Sequence, residues 1–83
     1  MQYNFVEFDK EEIEKLHKRI GDNVKNLRNQ RGLTQLDLSH LIGNKSVSLI
    51  SCAEVGLYGK RFNIEHLYKI AKVLDVEICE FFK

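Results

Sequence analysis

Residues 32–56 place the strongest constraint on how this chain folds. A tight-turn signal at Gly32 is followed by two short apolar patterns with a glycine break between them. The first pattern runs Thr34-Gln35-Leu36-Asp37-Leu38-Ser39-His40-Leu41-Ile42-Gly43, and the second runs from Ser46 to Glu54, just before Gly56. Each suits a helix of about nine residues, and two such helices joined by a short Gly-containing turn make a helix-turn-helix. The second helix of that motif can lie in a DNA major groove.

The flanking segments supply a body for the motif. Asp9 with Glu12 three residues on reads as a capping box that opens a helix near Lys10. Ile13, Leu16, Ile20, Val24 and Leu27 then form one apolar stripe. Gly21 interrupts this helix and is expected to bend or split it, and Gly32 closes it after Arg31. Thr34, with Asp37 three residues later, opens the next helix, whose inward face is Leu38, Leu41 and Ile42. Gly43-Asn44-Lys45 forms the turn, Ser46 caps the following helix, and Ile50 and Ala53 face inward. Gly56 to Arg61 reads as a loop. Asn63 caps a fourth helix with Leu67, Ile70, Ala71 and Leu74 inward. Residues 75–83 hold a last short helix anchored by Ile78, Phe81 and Phe82. Ahead of all this, Tyr3, Phe5 and Phe8 suggest a short strand, or an arm laid over the core or over a partner subunit.

The 83 residues make one domain with a modest core, which an oligomeric partner often supports. Proline is absent and glycine sparse, so a helical fold is favoured over a sandwich or barrel. With no apolar run near membrane-spanning length and no cleavable leader pattern, a soluble cytoplasmic protein is expected. Cys52 and Cys79 lack zinc or dithiol spacing and read as reduced thiols. The net charge is only +1, but it is unevenly spread. Residues 1–14 carry −4, from Glu7, Asp9, Glu11, Glu12 and Glu14 against Lys10. Residues 15–31 carry +5, from Lys15, Lys18, Arg19, Lys25, Arg28 and Arg31 against Asp22. A basic block beside the motif suits phosphate contact, although a solvated helix face looks much the same.

Several segments together resemble the Cro and phage-repressor (Xre-type) helix-turn-helix domain. They are residues 20–28 (Ile-Gly-Asp-Asn-Val-Lys-Asn-Leu-Arg), Gly32 to Gln35, Leu38-Ser39, Glu54 to Gly56, and Leu67 to Leu74. The resemblance covers about residues 18–82. It implies an all-α, compact five-helix repressor-like domain, here with an N-terminally extended first helix and a short arm. The arm is residues 1–9, the domain 10–83, and the helix-turn-helix core 34–54. It also implies binding to double-stranded DNA as a homodimer on a palindromic operator. Arg28 and Glu54 match a family ion pair that holds the recognition helix, and a guanidinium fork suits a partly buried carboxylate. Gln35, with Thr34 at the helix start, matches a phosphate-gripping position.

The chain departs from the family pattern at two places. Ser39 stands where a small Ala is common, and the segment from Gly43 to Glu54 is one residue longer than usual. Counting back from Glu54 puts Ser46, Val47, Ser48, Ser51 and Cys52 on or near the groove-facing side. None has the long polar side chain that makes bidentate base contacts. Val47 can meet a thymine methyl, and Ser48 or Ser51 a base edge or a phosphate; the alternative is readout through DNA shape. Leu49 is either a further apolar contact or part of a dimer surface. Lys45, Lys60 and Arg61 are expected phosphate or minor-groove contacts.

His17, His40 and His66 lie on three separate helices, so no metal site or cofactor is expected. Catalytic constellations are absent from the sequence, which argues against an enzyme. The expected role is a transcription regulator, with repression the default outcome in this family. Controllers of restriction–modification systems and antitoxins share this domain size. The competing reading is a protein-interaction module built on the same fold, with a toxin or other protein as its partner.

Overall fold

The computed structural model describes residues 6–83. Four α-helices follow one another: α1 (Lys10–Gln30), α2 (Gln35–Leu41), α3 (Ser48–Ala53) and α4 (Ile64–Leu74). Two 3-10 segments, Leu57–Gly59 and Ile78–Phe82, complete the fold. It is all-α, with no strand among the described residues. The expected fifth helix is the second 3-10 segment. Within the expected arm, Tyr3 and Phe5 lie outside the described residues. Residues 6–9 are irregular, and Phe8 is 82% exposed rather than laid on the core.

The core lies between the four α-helices, with Phe81 of the last 3-10 segment packed on α1 and α4. Ile20, Val24, Leu38, Ile42, Ile50, Ala53, Phe62, Leu67, Ile70, Ala71, Leu74 and Phe81 are buried together. Leu27 and Leu49 pack against this cluster from its margin, which gives Leu49 a core role. Four expected core positions turn outward. Leu41 is 57% exposed and Phe82 41% exposed, because Ile42 and Phe81 already fill the space beneath those chain ends. The α1 stripe is buried only from Ile20 onward; Ile13 and Leu16 extend past the body.

Capping chemistry fixes the helix starts. The Asp9 carboxylate accepts the Glu11 N–H at 2.9 Å, a simple cap in place of the expected box with Glu12. Thr34 and Asp37 form a full capping box: the Thr34 hydroxyl accepts from the Asp37 N–H at 3.0 Å, and the Asp37 carboxylate accepts from the Thr34 N–H at 2.9 Å. Those hydrogen bonds hold the Asp37 carboxyl below its ordinary pKa. The mate of that box is at α4, where the Asn63 side chain accepts the His66 N–H and His66 Nδ1 accepts the Asn63 N–H.

Burial pushes the His66 imidazole below its ordinary value of 6.5, with Lys69 adding to the effect and Glu65 opposing it. Protonation would also destroy the acceptor at Nδ1. The unfolded chain therefore binds the proton more readily than the folded one, so stability is complete above pH 6.5 and declines as pH falls through the depressed folded value. Melting temperature should drop between pH 7.5 and 5.5, and His66→Gln, which keeps a cap acceptor, should flatten that drop. An unchanged slope in the variant would remove His66 from the account.

Gly21 does not bend α1, which runs through it unbroken. A Cβ there would lie 2.5 Å from the carbonyl oxygen of Glu54 and 2.9 Å from that of Ala53. Glycine at this position lets the end of α3 rest directly on the α1 backbone.

Candidate nucleic-acid interface

The sequence Ser48-Leu-Ile-Ser-Cys-Ala53 sends Ile50 and Ala53 into the core, three residues apart on one face. The opposite face of α3 consists of Ser48, Ser51 and Cys52; Val55, 52% exposed, follows in the turn beyond the helix, beside Glu14, His17, Lys18 and Arg61. Spacings of three and four residues make these three one stripe. Val47 stands half-buried at its start, in helical conformation just before the first turn. Ser46 lies one residue further out than a formal cap, yet its hydroxyl accepts the Ser48 N–H at 3.1 Å and lies 2.9 Å from the Ser48 hydroxyl. These predicted positions are thus brought onto one surface, with small side chains throughout.

That surface is fixed from behind by a buried polar cluster. Arg28 donates from Nε to Glu54 Oε2 at 2.8 Å and from Nη2 to Oε1 at 3.0 Å, a two-pronged contact with both residues nearly fully buried. Its third arm donates to the Leu33 carbonyl at 2.8 Å. The Gln35 amide donates to the same Glu54 Oε1 at 3.0 Å. One carboxylate therefore joins α1, the start of α2 and the end of α3, and among the described residues no buried side-chain polar atom is left without a partner.

The two departures from the family pattern meet at one hydrogen bond. Ser39 is fully buried and its hydroxyl donates to the Ser46 carbonyl at 2.6 Å. An Ala there would leave that carbonyl, in the longer turn, without this donor. The turn is entered through Gly43 in the left-handed region, with Gly43 N–H on the His40 carbonyl and Asn44 N–H on the Ser39 carbonyl. Asn44 is half-buried, and Lys45 is exposed at the tip.

Cations at the edges of the site are arranged less simply than their spacing suggests. Lys45 and Lys60 are exposed, without ion-pair partners among the described residues. Arg61 instead pairs with Glu14 on the first half of α1. Within the basic block of residues 15–31, Arg28 is the buried anchor and Arg31 donates from Nε to the Leu74 carbonyl at 2.7 Å. Lys18 pairs with Asp22. Three of that block's cations thus bind the protein itself.

Sequence reasoning missed Tyr58. Tyr58 is 84% exposed and has a φ of 56°, a left-handed conformation that bulky residues rarely adopt, within the turn beside α3. Neither periodicity nor propensity marks such a residue. No group of three or more possible metal-binding side chains occurs among the described residues.

This arrangement is matched by known proteins. The helix-turn-helix family matches residues 24–81, more than half of the chain. The chain belongs to this family, the DNA-binding transcription regulators of the Cro/C1 (Xre) type. Among solved structures, the restriction-modification controller protein C.AhdI from Aeromonas hydrophila is similar, with a TM-score of 0.70 and 29% identity. The alignment covers 78% of this chain and 94% of that one. A comparison with curated protein sequences finds no match.

Proposed function

We propose that this helix-turn-helix regulator binds a two-fold symmetric operator as a homodimer and represses by occupying it. The observation that carries this reading is the outward stripe of α3, clamped at a set angle by the Arg28–Glu54–Gln35 cluster with Lys45 and Lys60 exposed beside it. A rigid helix flanked by exposed cations fits a major groove and its phosphates. Val47 offers apolar contact to a thymine methyl, and Ser48, Ser51 and Cys52 make short polar contacts at close backbone approach. Gln35, held by one amide N–H on Glu54, keeps its second for a phosphate. Beside it Thr34, exposed at the start of α2, is placed toward the same backbone. The similarity to a restriction-modification controller protein supports a regulatory role of this kind.

Selection from a random duplex library at near-physiological salt tests the proposal. Recovery of a palindromic motif supports it, and recovery of nothing above background favours a protein-interaction module. On the selected site, replacing Lys45, Lys60 and Arg61 together by Ala should weaken binding and make the log–log salt slope shallower by about 2–3, at close to one released counterion per lost phosphate contact. A slope equal to that of the parent protein would exclude these residues from the phosphate contact. Arg61 must leave Glu14 to take part, and such an exposed pair is worth only about 0–1 kcal/mol.

A further inference from the structure

The first turns of α1 meet the body only along one side, where Arg61 reaches Glu14 beside Val55 and Gly56. Ile13 and Leu16 continue the stripe that Ile20 and Val24 bury, yet they remain 40% and 41% exposed. Glu12 and Arg19 stand one residue before Ile13 and Ile20. Both are exposed, and neither has an ion-pair partner among the described residues. In heptad terms Ile13 is an a position, Leu16 the d, Ile20 the next a, and Glu12 and Arg19 successive g positions. Residues 10–23 of this helix precede residue 24, where the family match begins.

We propose that this segment is a pairing surface for a second copy of the chain, with two α1 helices running antiparallel about a two-fold axis between residues 14 and 15. In that register Ile13 of each copy packs on Leu16 of the other. Antiparallel helices bring g positions together, so Glu12 of each copy meets Arg19 of the other. Both contacts occur twice by symmetry, as a self-complementary interface requires. The wider charge pattern agrees. The acidic first turns of one copy point toward the basic segment 15–19 of its partner, with Glu12 and Arg19 at the seam itself, whereas parallel pairing would stack acid on acid. A basic partner protein would satisfy the acidic turns but leave Arg19 opposed, so a second copy is the better fit. Glu14, which holds Arg61, falls at a b position outside the seam and is undisturbed. This pairing rests on the homodimer proposed above and assigns its interface, and it forms without DNA.

Sedimentation of the full chain without DNA, at tens of micromolar, tests it with Glu12→Arg and Arg19→Glu. Each variant sets like charges together twice and should weaken association by about tenfold or more, so that the sedimenting mass falls by half. An equimolar mixture of the two variants restores both attractive pairs and should return the mass, which no misfolded chain would do. Unchanged mass in either variant, or a mixture that stays dissociated, would overturn the proposal. Salt-dependent DNA binding through Lys45 and Lys60 is measured separately, so either idea can fail without the other.

Discussion

Glu54→Ala should lower the melting temperature by roughly 15–30 °C. The substitution leaves the Arg28 guanidinium buried without its carboxylate, and breaking such a pair from one side costs about 3–5 kcal/mol. In a domain of this size each kcal/mol moves the midpoint by about 4–8 °C. Gln35 loses its acceptor at the same time, so the start of α2 and the end of α3 come apart together. Thermal melts followed by circular dichroism measure the loss. Replacing both partners, Arg28→Met with Glu54→Leu, should recover most of it, because no uncompensated charge remains buried. A double variant as unstable as Glu54→Ala would show that the cluster acts through packing instead of charge.

Gly21→Ala should destabilise the fold by a net amount of about 1–3 kcal/mol, although Ala is the better helix former by about 0.5–1 kcal/mol. The added methyl would sit 2.5 Å from the Glu54 carbonyl oxygen, and backbone at a helix crossing has little room to yield. Because α3 must move outward to relieve the overlap, DNA affinity should fall with the melting temperature. The control is Asn26→Ala, at an exposed position of the same helix, which should be neutral or slightly stabilising. If Gly21→Ala melts no lower than Asn26→Ala, the close crossing is not a constraint.

Local chemistry was legible in the chain. Thr34, Asn63 and Asp9 mark helix starts because a side-chain acceptor beside unpaired N–H groups is a short-range requirement. Ile50, Ala53, Leu67 and Leu74 mark inward faces because helical period alone decides them. The Arg28–Glu54 pair came from family resemblance, and its two-pronged geometry suits a buried carboxylate. What remained illegible depends on where neighbouring elements stop. Periodicity cannot say that the body ends at Ile20, that Leu41 and Phe82 lie over space already filled, or that Gly21 is a crossing point. Nor does the sequence show which cations bind the protein itself, as Arg31 does at the Leu74 carbonyl and Arg61 at Glu14. The joint role of Ser39 and the longer turn needed both ends of their hydrogen bond in view.

The clamp behind α3 has a consequence for how such a protein can change its target. Arg28, Glu54 and Gln35 hold the helix through its buried side, while Ser48, Ser51 and Cys52 contribute little to that hold. Substitutions along the outward stripe are therefore free to vary without unfolding the domain. On the operator-binding reading proposed above, longer polar residues such as Gln, Asn or Arg grafted there should redirect the protein to a new operator, leaving the scaffold as it is.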